Sequence, residues 1–212
     1  MTCREGMKRT MSFSSMVKEE LSHQMSSARH CQIAEITAII SLCGRVQISE
    51  RDSYCIKIHT ENVAVARKYF TLLKKTFNIK TDVSVRQGME NRSSRIYSVC
   101  IRKHEDAIRV LQAAKLIDLY GEIEENLSLA QNVVIRKSCC KRAFIRGAFL
   151  AAGSISDPEK FYHFEIACTA PAKAVQLQEL MLFFGLEAKI IQRKKYNVVY
   201  LKEGSQIVDI LN

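Results

Sequence analysis

The chain repeats itself. Residues 34–49, AEITAIISLCGRVQIS, align with residues 143–158, AFIRGAFLAAGSISDP, at a constant separation of 109 positions that sets Ala34 over Ala143, Ala38 over Gly147 and Gly44 over Gly153. Farther on, Phe70, Leu73, Phe77 and Ile79 fall over Leu177, Leu180, Phe184 and Leu186 at a separation of 107, a drift of two residues that one turn absorbs. A repeat of this length points to a duplicated structural unit, and each unit must bury its apolar face partly against the other.

Hydrophobic periodicity gives both units the same element order. The first unit reads as a helix over residues 31–43, strands over 45–49 and 54–60, a helix over 62–77, strands over 81–87 and 95–101, and a helix over 103–116. The second reads as a helix over 138–152, a short strand over 154–156, a strand over 161–168, a helix over 171–184, strands over 188–193 and 198–202, and a last helix from Glu203. Pro171 suits the first turn of its helix, where a missing N–H costs nothing. The fold class is therefore α+β, with two pseudo-symmetric αββαββα repeats. The strands alternate, as in Tyr54, Ile56 and Ile58 against Cys55, Lys57 and His59, so one face of each antiparallel sheet packs on helices and the other is open. The expected organisation is a leader and N-terminal helix over residues 1–30, a first repeat over 31–118, a linker over 119–137 containing GEIEEN, and a second repeat over 138–212. In the N-terminal helix, Ser14 or Ser15 is the expected cap and Val17 and Leu21 share a face; Met11 is a second candidate start.

The first helix of each unit carries small residues four apart, Ala34 and Ala38 in one and Ala143 and Gly147 in the other. Small residues at this spacing form a low stripe that lets two helix backbones approach closely. Glycine inside a helix costs about 1 kcal/mol against alanine, so Gly147 needs a packing reason. These two helices are expected to pack side by side at the seam, with Gly44 and Gly153 ending them through a positive φ.

Lysine and arginine outnumber acids 32 to 22, a net charge of +10 that favours polyanionic partners. Of eight cysteines, Cys139 and Cys140 are adjacent and no CxxC pair exists. The spacing implies free, mostly buried thiols rather than zinc or disulfides. The Cys139-Cys140 pair opens a seam helix and is read as packing. His23, His30, His59, His104 and His163 show no paired ligand spacing and are read as surface or capping residues; no cofactor or metal is expected. No apolar run approaches a membrane span and no signal-peptide core is present, so the expected setting is cytoplasmic, near the nucleoid, with no membrane partner.

The stretches 34–44 and 145–153 resemble the paired motif helices of the LAGLIDADG homing-endonuclease fold. More narrowly, SFSSMVKEEL, TENVAVAR, CCKRAFIRGAFLAAGSISDPEKFYHFEI and VVYLKEGSQIVDIL are similar, in order and spacing, to the N-terminal part of the WhiA family of bacterial transcription regulators linked to sporulation and cell division. The resemblance spans nearly the whole chain. It implies a monomeric pseudo-twofold domain, with a helix-turn-helix domain following in the family and absent from this chain.

In LAGLIDADG nucleases each motif helix presents an acid just before its last glycine, because phosphodiester cleavage needs hard oxygen ligands for divalent cations. The matching positions here are Cys43 and Ala152. Neither holds magnesium, since a thiol is soft and alanine offers no ligand. Asp157 and Glu35 have no acidic counterparts, at Ile48 and Phe144. No catalytic residue is expected, and the chain is read as a non-enzyme. Binding remains. By alternation, the open sheet faces offer Arg45, Gln47, Lys57, His59, Ser84, Arg86 and Arg193, and hairpin loops add Arg92, Arg95, Lys194 and Lys195 for contact with duplex DNA. Three readings stay open at this point: a non-catalytic DNA-binding regulator, a protein-interaction module with a partner in transcription and no DNA affinity of its own, and an active nuclease or maturase.

Overall fold

A computed structural model describes residues 11–48, 53–87, 94–117 and 133–211. In the first half, α1 (Phe13–His23) and α2 (Arg29–Cys43) lead into β1 (Gly44–Ile48), β2 (Tyr54–Thr60), α3 (Val63–Phe77), β3 (Asp82–Gln87), β4 (Arg95–Ile101) and α4 (His104–Ala113). In the second half, α5 (Ser138–Ala152) leads into β5 (Gly153–Ile155), β6 (Phe164–Cys168), α6 (Pro171–Leu182), β7 (Lys189–Arg193), β8 (Tyr196–Leu201) and α7 (Gly204–Leu211).

The halves share topology and register. The two antiparallel four-stranded sheets have the orders β1-β2-β4-β3 and β5-β6-β8-β7. Across the first sheet, Gly44 faces Ile58, Ile58 faces Val99 and Val99 faces Val83. Across the second, Gly153, Ile166, Val199 and Ile190 form the corresponding row. The seam helices α2 and α5 are each 15 residues long and begin and end 109 positions apart.

Two cores form, one under each sheet, and α2 serves both. Its Ile36, Ile39 and Ile40 enter the first core with Ile56, Ile58 and Val99. Its Cys31, Ala34 and Ala38 enter the second with Phe149, Phe164 and Val199. A helix clothed on both sides has no polar face to show water, which explains its apolar residues all round. Where α2 meets α5, Ala34, Ala38 and Ala143 are buried. A Cβ added to Gly147 would lie 2.6 Å from the Glu35 carbonyl oxygen and 3.0 Å from the Ala38 Cβ, so the two backbones touch at this point.

Several local expectations are corrected. Gly44 and Gly153 sit at φ −84° and −85°, extended rather than left-handed. Their requirement is steric: a Cβ would stand 2.4 Å from the Ile40 carbonyl oxygen at one and 2.3 Å from the Phe149 ring at the other. The cap of α1 is Ser12, whose hydroxyl accepts from the Ser15 N–H at 3.2 Å; Ser14 instead accepts from Ile155 N–H at 3.4 Å, tying α1 to β5. The helix α2 starts two residues earlier than the apolar pattern, because Arg29 and His30 are exposed and carry no hydrophobic signal. The strand β6 starts at Phe164 rather than residue 161, since Asp157 caps a turn and leaves Phe161 and Tyr162 exposed. In the segment taken as linker, Val134 and Ile135 are buried in the second core. The leader over residues 1–10, residue 118 of the first repeat and the part of that linker over 119–132 lie outside the described residues.

Candidate nucleic-acid interface

Register places the basic residues. The side of the first sheet that carries Val46, Ile56, Ile58, Val99 and Ile101 rests on the core. The opposite parity therefore carries Arg45, Gln47, Lys57, His59, Ser84 and Arg86 on one open face. The His59 Nδ1 lies 2.9 Å from Ser98 Oγ, and Ser98 pairs with Ser84, which confirms the shared side. The His59 imidazole is held below its ordinary pKa by partial burial first, then by the positive fields of Lys57, Arg45 and Arg86. Three cations thus converge around one ring. None of the three has an acidic partner among the described residues, and the one carboxylate of this face, Asp82, is engaged by Arg102 at 2.5 Å.

The second sheet is chemically different. The position equivalent to Lys57 is Glu165, which lies 3.2 Å from Arg193 and 2.9 Å from His163. Arg193 is the register equivalent of Arg86, so this half presents a neutralised arginine where the first presents one with no acidic partner among the described residues. Ile191 and Tyr196 add exposed apolar surface beside it. Lys194 and Lys195 form the two-residue turn between β7 and β8, with Lys194 at φ 54° and the Lys195 Nζ 5.4 Å from the Tyr196 ring centroid. Arg95 opens β4, where the strand was expected to start, pairs with Gln87 and by parity faces away from Arg86, so it does not join the loop and open-face cations with which it was grouped. Arg92 lies outside the described residues.

At the tips of α2 and α5 stand Cys43 and Ala152. Burial pushes the Cys43 thiol up to about 12, against the opposing pull of Lys18. Burial also lowers Lys18 to about 8, and its Nζ sits 5.7 Å from the Phe149 ring centroid. The tips therefore offer a protonated thiol, a methyl group and an ammonium. A hard divalent cation finds no oxygen donor in that set, so the nuclease metal does not fit these residues.

Three features escaped sequence reasoning. Glu35, fully buried on α2, accepts a bidentate pair of hydrogen bonds from Arg146 at 3.1 Å each and lies 3.2 Å from Lys68 Nζ, itself fully buried. An acid on an otherwise apolar helix was the available signal. Lys18 is the second feature. The third is at the opposite ends of α2 and α5, where His30, exposed as a surface histidine was expected to be, comes together with Cys31, Cys139 and Cys140.

Residues 29–117 match the WhiA N-terminal LAGLIDADG-like domain, and residues 141–212 match the WhiA LAGLIDADG-like domain. A "probable cell division protein WhiA" of Lachnoclostridium phytofermentans is 50% identical over 202 residues, covering 95% of this chain and 64% of that protein. Its counterpart in Lachnospira eligens is 43% identical over 203 residues, covering 95% and 63%. The chain thus spans just under two thirds of the length of these relatives. The crystal structure of the N-terminal LAGLIDADG domain of WhiA superposes with a TM-score of 0.71 at 22% identity, covering 97% of this chain and 90% of that one. The homing endonuclease I-DmoI, in its complex with DNA and Mn, superposes with a TM-score of 0.58 at 13% identity over 87% of this chain and 97% of that one, a likeness of fold alone. With both halves matched and curated relatives at up to half identity, the chain belongs to the WhiA family.

Proposed function

We propose that this chain is a non-catalytic DNA-binding portion of a bacterial transcription regulator tied to cell division, built on a homing-endonuclease scaffold that grips duplex DNA and does not cut it. The observation that carries the reading is the convergence of Arg45, Lys57 and Arg86 on His59 across an open sheet face. Cations spaced along a sheet track phosphates, and arginine and glutamine can also address base edges. I-DmoI, which shares the fold, is solved in complex with DNA, and that supports DNA as the class of partner. The helix tips, which carry a thiol and a methyl group beside the Lys18 ammonium and no carboxylate among the described residues, support the absence of cleavage.

Binding of a labelled duplex, followed by fluorescence anisotropy across a salt series, tests the reading. The expected result is affinity that falls steeply with salt, since counterion release drives it. Arg45→Glu with Arg86→Glu weakens binding more than about 10-fold and flattens the salt slope by about one for each lost phosphate contact. Supercoiled plasmid incubated with magnesium or manganese stays intact. Unchanged affinity in the double variant, or metal-dependent nicking, overturns the proposal. The second sheet favours one other reading, a protein partner, because Ile191 and Tyr196 lie exposed beside a neutralised arginine. In that case the chain shows no salt-dependent DNA affinity at all.

A further inference from the structure

The pseudo-twofold relation between α2 and α5 has a second consequence at their N-terminal ends. The second and third residues of α2 are His30 and Cys31, and 109 positions later the second and third residues of α5 are Cys139 and Cys140. The seam helices lie against each other, so the two pairs meet. His30 Nδ1 lies 3.2 Å from Cys140 Sγ and 3.3 Å from Cys31 Sγ. All four donor atoms lie within 4.8 Å of one another. We propose that His30, Cys31, Cys139 and Cys140 form a structural zinc site that fastens the N-terminal ends of the two seam helices, and with them the two halves of the chain.

The donor chemistry selects the metal. Three thiols and an imidazole suit a borderline-soft ion with no geometric preference of its own, whereas magnesium and calcium take oxygen ligands. A tetrahedral zinc with Zn–S of about 2.3 Å and Zn–N of about 2.0 Å sets donor-to-donor edges of roughly 3.5–3.8 Å. The observed spread brackets that range, so closure needs only small side-chain adjustments. Four protein donors leave no open coordination position, which marks a structural rather than a catalytic centre. Cys31 and Cys140 are buried, while His30 and Cys139 are exposed, which leaves an entry path for the ion.

Charge balance agrees. Binding releases up to three thiol protons and leaves a complex with a net charge near −1. That charge would sit at two helix N-termini, whose free N–H groups and dipoles favour anions. Neither helix has an acid in its first turn or a side-chain cap to compete for those amides. Packing alone explains two buried thiols at a helix contact. It does not explain an exposed histidine and an exposed cysteine turned onto them from both sides.

The site lies at the far ends of α2 and α5 from Cys43 and Ala152, so its failure and the failure of the DNA-binding proposal are separable. The test uses the full chain purified under reducing conditions without chelator. Elemental analysis should find about one zinc per chain, and cobalt(II) added to metal-free protein should give the intense visible and near-ultraviolet bands of a tetrahedral thiolate complex. His30→Ala with Cys139→Ala changes only the two exposed donors, so the fold is retained; it should weaken zinc binding by more than about 100-fold, beyond the loss typical of outer-shell changes. Chelation should lower the Tm of the parent chain and leave that of the double variant unmoved. The proposal is overturned by any of three results: well under one equivalent of zinc with all thiols titrating freely, iron in place of zinc, or an intact mass showing a disulfide among these cysteines.

Discussion

At the scale of single residues, two ionisable groups have calculable consequences. Glu35 sits between Lys68 and Arg146 with both its oxygens engaged. Burial holds the Lys68 ammonium below its ordinary pKa, and Glu35 opposes that shift. Glu35→Ala would strand a fully buried cation, which costs about 3–5 kcal/mol; thermal unfolding by circular dichroism should show it. Glu35→Leu combined with Lys68→Met and Arg146→Leu should recover much of the loss, since well-packed apolar residues can replace a buried ionic triad. His59 makes a different prediction. Its folded pKa lies below the unfolded value near 6.5, so the imidazole stays neutral where a free histidine has begun to protonate, and the fold loses a little stability as pH falls through that value. A bound phosphate would reverse the fields acting on it and raise its pKa. DNA affinity should therefore increase as pH drops from 7.5 to 6, and His59→Gln should abolish that dependence. A pH-independent affinity in the parent chain would remove His59 from the interface.

Secondary elements show what a single sequence does and does not display. The duplication was legible because α2 and α5 repeat a stripe of small residues at helical spacing, and a stripe has a period. The role of Gly44 and Gly153 was legible only in part. A glycine after a helix has two explanations, a left-handed φ or lack of room for a Cβ, and the sequence alone does not separate them. Arg95 was read correctly as the start of its strand yet also counted among the hairpin cations; its pairing with Gln87 sets it by parity on the other face. The four donors around His30 were invisible for another reason. Their spacing is 1 and 109, and ligand motifs are recognised by short spacings, so a site assembled by internal symmetry leaves no local pattern. The contact between the helices yields its own prediction. Gly147→Leu forces a large side chain into space 2.6 Å from the Glu35 carbonyl oxygen, and overpacking of this kind costs about 1–3 kcal/mol or more. The variant should unfold several degrees lower, while the equivalent change at the open-turn Gly185 meets no neighbour within 4 Å and should be limited to the strain of its φ of 77°.

For the whole molecule, backbone symmetry and chemical symmetry part company. The two sheets coincide in strand order and register, yet one open face gathers Arg45, Lys57 and Arg86 while the other sets Glu165 against Arg193. Charge reversal should therefore be unequal. Substituting Arg45 and Arg86 should weaken DNA binding several times more than substituting Lys189 and Arg193, and a matched anisotropy series on the two double variants would measure the ratio. Equal effects would mean that both sheets bear on the phosphates alike. No helix among the described residues is long and apolar enough to cross a membrane.

Because α2 belongs to the first half yet lends Cys31, Ala34 and Ala38 to the second hydrophobic interior, the second half does not own a complete core. A chain severed inside residues 118–132 should leave the C-terminal piece poorly folded alone, and mixing the two pieces should restore its structure by returning α2 to its core. The repeated architecture is thus joined by a one-way loan: a rod of the leading unit completes the interior of the trailing one.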